Sequence, residues 1–143
     1  MSLYYADASA LVKLVRDEPE SESLRAFIGD ADLVSCDLVL AELPRALRRA
    51  AGLDPRLELD ILVTRAGEVI DAVALVAVDR PLLLAAGALS EPALRTLDAI
   101  HVAAAVGLMP IDGFLGYDER QAAAARLAGV RTYAPGTPSS GAS

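Results

Sequence analysis

Short apolar runs alternate with helical patterns along most of the chain. The apolar runs lie at residues 3–6, 33–36, 75–78, 111–115 and 130–133. Between them, apolar residues recur three and four positions apart, which predicts helices over about 8–16, 20–28, 37–50, 56–73, 80–88, 97–106 and 118–127. Apolar strands that alternate with helices are typical of a parallel sheet covered on both faces. The pattern predicts an α/β fold, a three-layer α/β/α sandwich.

Turn-forming residues divide this pattern. Gly67 predicts a break within the fourth helical stretch, and Thr96 predicts the N-cap of the sixth. From Pro135 onward the chain is rich in Gly, Ser and Pro, which predicts a flexible tail over residues 135–143. The preceding residues 1–134 have the size of one domain.

Composition excludes several classes of protein. Of the 143 residues, 54% are hydrophobic and only 4% aromatic, with no Trp, so an aromatic platform for single-stranded nucleic acid is not expected. A single cysteine, Cys36, and a single histidine, His101, exclude a disulfide framework and a Cys-based or His-rich metal site. The first residues lack the pattern of a signal peptide, and no apolar run is long enough for a membrane span. We therefore expect a soluble, cytoplasmic protein without membrane contact.

The formal net charge of −7 argues against a basic groove for nucleic acid. It does not exclude an enzyme that acts on nucleic acid with acidic residues neutralised by metal ions.

Two acidic residues follow predicted strands. Asp7 closes the first strand, and Asp118 follows the strand that ends at Leu115. In parallel sheets the active site lies beyond the carboxyl ends of the strands, which makes both residues candidates. Each also precedes a helix, so an N-cap role is the alternative.

Two further acids lie on predicted helices. Asp98 falls in the first turn of a helix that is apolar on nearly all sides, and a buried carboxylate is costly unless it is paired or bound to metal. The helix dipole alone could also account for it. Glu42 shares a helical stripe with Arg45, and by pattern alone a solvated face with an ion pair explains it.

Other polar residues have simpler interpretations. His101 is interpreted as a hydrogen-bonded packing residue and Cys36 as a small buried hydrophobe. The arginines within residues 45–49 predict a solvated face that could also meet phosphates. Asp79 and Asp112 are interpreted as turn residues outside any site.

Four segments carry a resemblance to one family. Residues 5–13 (YADASALVK) resemble the opening Asp-x-Ser motif of the PIN-domain ribonucleases, and residues 41–47 (AELPRAL) resemble their second acidic motif. Residues 94–103 (LRTLDAIHVA) are very similar to the third motif in the toxins of VapBC toxin–antitoxin modules, and residues 114–120 (FLGYDER) resemble the fourth. The resemblance spans residues 3 to about 133 in the family's order, and the segment around Asp98 is its most specific part.

The resemblance implies a PIN-like fold and a metal-dependent endoribonuclease toxin. It also implies a small antitoxin as partner and RNA as substrate. We further expect a homodimer, closed by apolar surface. The resemblance assigns an acidic quartet around one or two Mg²⁺ or Mn²⁺ ions, formed by Asp7, Glu42, Asp98 and Asp118, with Asp7 and Asp98 as the primary metal ligands. Ser9 matches the polar residue that orients the first acid. Gly116 departs from the family, which usually has Thr or Ser two positions before the last acid.

Other classes fit less well. A haloacid-dehalogenase-type phosphatase needs a second Asp two residues after the first, where this chain has Ser9. A response-regulator receiver domain needs an acidic pair near the first strand and a late lysine, and the chain has neither. Because of Gly116, a catalytically weak PIN-like module that binds RNA or protein stays an alternative.

Overall fold

The computed structural model describes residues 1–138. Five strands form its sheet: β1 (Leu3–Ala6), β2 (Asp32–Cys36), β3 (Ala74–Val76), β4 (Gly113–Leu115) and β5 (Thr132–Tyr133). The helices are α1 (Ala8–Val15), α2 (Ser21–Ile28), α3 (Val39–Leu53), α4 (Leu59–Asp71), α5 (Arg80–Gly87), α6 (Thr96–Gly107) and α7 (Glu119–Leu127).

The strands form one parallel sheet in the order β3-β2-β1-β4-β5. β1 is therefore central, and its last residue, Ala6, lies in register with Leu115 at the end of β4. The chain segments after β1 and β4 thus leave the sheet side by side, at the edge where ligands bind in folds of this kind.

Helices cover both faces of the sheet and enclose two apolar cores. One core packs α1 to α4 against the sheet through residues such as Leu11, Leu24, Leu43 and Leu62. The other packs α5 to α7 against the opposite face and includes Tyr5, Phe114 and most of α6. The predicted three-layer α/β/α sandwich is confirmed.

Two local predictions were wrong. α4 runs without a break through Gly67, because Leu62 and Ala66 on the same helix are buried and hold it against the core. A methyl group at Gly67 would meet no atom of residues 1–138 within 4 Å, so the glycine is not required by close packing. The N-cap of α6 is Arg95, and Thr96 is the first helical residue, which moves Asp98 to the third position of the helix.

The described part of the chain ends in a turn. Thr137 donates from its backbone N–H to the Ala134 carbonyl, and the Tyr117 hydroxyl donates to the Pro135 carbonyl at 2.9 Å. The flexible tail predicted from residue 135 stays a prediction, and its last five residues lie outside the described range. No helix within residues 1–138 has the length and apolar content needed to cross a membrane.

Candidate active site

Asp7 and Asp118 lie at the carboxyl edge of the sheet, and both cap helices. Asp7 accepts a hydrogen bond from the backbone N–H of Ala10 at the start of α1, and Asp118 accepts one from Gln121 at the start of α7. The cap interpretation is therefore true of both residues. It does not exclude a second role, because a capping carboxylate uses one oxygen in each case and keeps the other.

Asp7 is the most buried acid of the site. Only 4% of the residue is exposed, and its Oδ1 accepts hydrogen bonds from Ser9 Oγ at 2.7 Å and from the Ala10 N–H at 3.0 Å. Burial raises the pKa of Asp7, and the nearby Glu42 charge raises it further, although the two hydrogen bonds and His101 act in the opposite direction. A site that disfavours the charged carboxylate in this way gains from a cation.

Ser9 connects the loops that carry Asp7 and Asp118. Its hydroxyl donates to Asp7 and accepts from the backbone N–H of Tyr117 at 3.1 Å, so one side chain links the first acid to the residue preceding the last. The Tyr117 ring lies under the Lys13 ammonium, 4.6 Å from it, which adds a second link between α1 and this loop.

Gly116 leaves no space for a side chain. A Cβ atom there would lie 2.9 Å from Asp7 Oδ2 and 2.8 Å from the Phe114 ring. The family's hydroxyl at this position thus cannot be added without moving its neighbours. In this chain Ser9 supplies the hydroxyl contact between Asp7 and the Asp118 loop.

Asp98 lies near Asp118 across the junction of α6 and α7. The Gln121 side chain approaches the Asp98 carbonyl at 3.5 Å, while Asp98 Oδ2 is 3.6 Å from Arg95. The carboxylate is 26% exposed. Partial burial raises the pKa of Asp98, as does the Asp118 charge, against the opposing effect of Arg95. Asp98 is thus partly shielded and repelled by another acid, as expected of a cation-binding carboxylate.

The sequence pattern suggested that Glu42 pairs with Arg45, but its partner in the structure is His101. Glu42 Oε1 lies 2.6 Å from His101 Nε2, and the imidazole is almost completely buried. His101 Nδ1 contacts the Tyr5 hydroxyl at 2.7 Å and Cys36 Sγ at 3.7 Å. The interpretation of His101 as a hydrogen-bonded packing residue was correct but incomplete. In the sequence, the contact of His101 with a site acid was indicated only by its position one helical turn after Asp98.

The contact between His101 and Glu42 affects the charge of the imidazole. Burial acts to lower the pKa of His101, but the hydrogen bonds with Cys36 and Glu42 outweigh it and raise the pKa to about 10. The resulting positive charge favours ionisation of both Asp7 and Asp98. One buried imidazole therefore offsets part of the negative charge that gathers at this edge.

The two aspartates interpreted as turn residues both accept hydrogen bonds from backbone N–H groups. Asp112 precedes β4 and accepts from the backbone N–H of Leu3, at the opposite end of the sheet. Asp79 caps α5 through the N–H of Leu82. Lys13 is bound by Glu18 and Glu20 at 3.6 and 3.0 Å, which places its charge beside those acids.

A groove of about 600 Å³ runs between α1 and α3 next to Glu42. Most of its surface is apolar, and its polar lining includes Ser9, Lys13, Arg45 and Arg49. Leu97, half exposed, lies at its border with α6. The groove thus combines an apolar surface with basic side chains and with two acids, Glu18 and the site residue Glu42.

Comparison with known proteins identifies the family. The PIN-domain family matches residues 4–127. Ribonuclease VapC46 of Mycobacterium tuberculosis is 37% identical over 94% of this chain and 99% of its own length. The chain belongs to the PIN-domain family and is related to its VapC ribonucleases.

Two further ribonucleases of this family are similar to the chain over nearly its full length. Ribonucleases VapC35 and VapC47 of the same species are 33% and 31% identical, each over 94% of this chain and 98% of its own length. Two crystal structures share the fold. A VapC20 toxin from Mycobacterium tuberculosis that cleaves the sarcin–ricin loop is 17% identical, with a TM-score of 0.65, over 85% of this chain and 94% of that chain. PAE2754 from Pyrobaculum aerophilum is 21% identical, with a TM-score of 0.63, over 92% of this chain and 83% of its own chain.

The chemistry of the donor set fits the divalent metal that the family implies. Carboxylate oxygens are the ligands that Mg²⁺ and Mn²⁺ prefer, and burial without sufficient positive charge raises the pKa of Asp7 and of Asp98. Within residues 1–138, no three Asp, Glu, His or Cys side chains converge closely enough to hold one ion together. Mg²⁺ is often bound by one or two carboxylates, with waters and substrate phosphates completing its shell, and such a site needs no larger cluster.

Proposed function

We propose that this protein is a Mg²⁺- or Mn²⁺-dependent endoribonuclease and acts as the toxin of a toxin–antitoxin pair in the cytoplasm. The observation that carries the proposal is the position of the acids within a PIN domain. Asp7 and Asp118 follow adjacent strands of the sheet, while Glu42 and Asp98 are coupled to them through their charges.

Each acid has a distinct part in the proposal. Asp7 and Asp98 would hold the cation, since Asp7 is buried, Asp98 is partly shielded from water, and both have a raised pKa that an adjacent positive charge would lower. When bound, the metal would polarise the phosphodiester and lower the pKa of a water molecule. Glu42 and Asp118 would accept hydrogen bonds from the attacking water and orient it. Ser9 keeps Asp7 in one orientation through its 2.7 Å hydrogen bond.

The net charge of −7 does not oppose RNA binding at this edge. With the four site acids neutralised, the formal charge of the chain falls to −3. Arg45 and Arg49 line the groove beside Glu42 and could contact phosphates that enter the site.

The same groove supports the partner part of the proposal. An apolar channel beside an acidic site suits an amphipathic segment of a small antitoxin, with a basic side chain that reaches the acids. We include a homodimer in the proposal because the chain exposes apolar surface. Exposed leucines on several helices, such as Leu40, Leu53 and Leu84, offer apolar surface for it.

Cleavage of RNA by the purified protein tests the proposal. We expect total RNA to be cut with Mg²⁺ or Mn²⁺ present and to stay intact with EDTA. Asp7→Asn and Asp98→Asn should abolish cleavage, whereas Asp118→Asn should reduce it less. Asp112→Asn is the matched control, because it removes the same charge at the opposite end of the sheet and should leave cleavage unchanged.

The alternative is a catalytically weak module that binds RNA or protein, and it is favoured by one observation, the absence of a hydroxyl at Gly116. Binding of RNA without metal-dependent cleavage would support this alternative. Cleavage that survives both Asp7→Asn and Asp98→Asn would contradict the proposed mechanism.

A further inference from the structure

His101 connects the two helical layers of the protein and the sheet between them. It lies on α6, which packs on one face of the sheet, and its Nε2 contacts Glu42 on α3, which packs on the other. Its Nδ1 contacts Tyr5 in β1 and Cys36 at the end of β2. One side chain thus connects two helices and the two adjacent strands at the edge where the acids lie.

The direction of the contact with Glu42 follows from its chemistry. A carboxylate only accepts hydrogen bonds, so His101 Nε2 donates to Glu42 Oε1 in both the neutral and the charged imidazole. In the charged imidazole Nδ1 also donates, and the Tyr5 hydroxyl oxygen 2.7 Å away accepts this hydrogen bond, which fixes the other side of the ring. The imidazole is therefore held on one side while it holds the glutamate on the other.

His101 cannot touch a substrate directly. The residue is 1% exposed, whereas the Glu42 side chain is 22% exposed and lines the groove beside the site. Among residues 1–138, Glu42 Oε2 accepts no hydrogen bond, and it is not a buried atom without a partner. One oxygen of Glu42 is bound and the other stays accessible.

We propose that His101 is a positioning residue that fixes the Glu42 carboxylate through Oε1 and leaves Oε2 available to the active site. This inference rests on the proposed nuclease function and assigns to the buried histidine a role beyond packing. Partners that orient a group at a metal site commonly change affinity or activity by about 10- to 100-fold when they are removed. We expect an effect of that size here.

Substitution separates positioning from packing. His101→Leu replaces the imidazole with an apolar side chain of similar bulk and removes the donor, and we expect kcat to fall about 10- to 100-fold with KM little changed. His101→Gln retains an N–H donor at the end of its side chain and should recover most of the activity. Tyr5→Phe should give a smaller loss. Val130→Ala is the matched control, since Val130 is similarly buried in the same core but lies beside Asp112, at the end of the sheet away from the acids.

A spectroscopic readout tests the contact without turnover. His101 is the only histidine of the chain, so its ¹⁵N imidazole resonances need no assignment. We expect Glu42→Gln to shift the Nε2 resonance, and Mg²⁺ to shift it in the wild type but much less in Glu42→Gln. Val130→Ala should leave both responses unchanged.

The outcomes distinguish this inference from the nuclease proposal. An Nε2 resonance that does not respond to Glu42→Gln would overturn the inference, as would full activity of a folded His101→Leu variant. Either result could occur while Asp7→Asn still abolishes cleavage, in which case the nuclease function stands. If His101→Leu does not fold, the response of the wild-type imidazole to Glu42→Gln and Mg²⁺ still decides the matter.

Discussion

Replacement of Gly116 by alanine tests how the site accommodates its departure from the family. The added Cβ would lie 2.8 Å from Phe114 Cε1, whereas two carbon atoms in contact prefer about 3.5–4.0 Å. Phe114 is 1% exposed and stacks on Tyr5 with 5.4 Å between ring centroids, so its ring has little space to move. The same Cβ would lie 2.9 Å from Asp7 Oδ2, on a carboxylate held by Ser9.

Overpacking of this kind costs about 1–3 kcal/mol in a well-packed core. For a domain of this size, each kcal/mol corresponds to about 3–4 °C of melting temperature, so we expect Gly116→Ala to lower the midpoint by about 3–12 °C. Cleavage should fall more steeply than stability, because displacement of Asp7 moves a proposed metal ligand. Gly116→Ser should behave like alanine, although it introduces the hydroxyl that the family usually carries.

Thermal unfolding followed by circular dichroism, together with RNA cleavage and Mn²⁺ titration, measures these effects. Gly67→Ala serves as the control, since a methyl group there meets no described atom within 4 Å and should stabilise α4 by about 0.5–1 kcal/mol. A Gly116→Ser variant with wild-type stability and higher activity would refute the packing argument. It would show that the missing hydroxyl limits this enzyme.

Three further predictions concern the charges of the site. The pKa of Asp7 is raised in the folded state, so the folded protein binds this proton more tightly than the unfolded chain does. Asp7→Asn should therefore raise the unfolding midpoint at pH 7. This gain should vanish as the pH falls toward the ordinary carboxyl pKa of about 3.9. Mg²⁺ at about 100 times its Kd should stabilise the fold by about 2.7 kcal/mol. If Mg²⁺ stabilises Asp98→Asn by the same amount, Asp98 is not a metal ligand. A bound antitoxin with a basic side chain in the site should weaken Mn²⁺ binding, measured by calorimetry with and without the partner, whereas equal affinities would indicate that it only blocks RNA sterically.

Much of this architecture could be predicted from the sequence, because it depends on neighbouring residues. The alternation of apolar strands and helices determined the layered fold, and the positions of Asp7 and Asp118 after strands placed both at one edge of the sheet. Asp98 stood out because its helix is apolar on nearly all sides. These features follow from periodicity and from the rule that parallel strands end at the same edge.

The tertiary structure alone decided how these groups pair. Glu42 and His101 are 59 residues apart and lie on opposite layers, so no local pattern could replace the expected contact with Arg45 by the observed one with the imidazole. The sequence likewise showed a missing hydroxyl at Gly116, but only the packing shows that Asp7 and Phe114 leave no space for it. Secondary structure depends on the order of adjacent residues, whereas the partner of a buried polar group depends on which elements the core brings together.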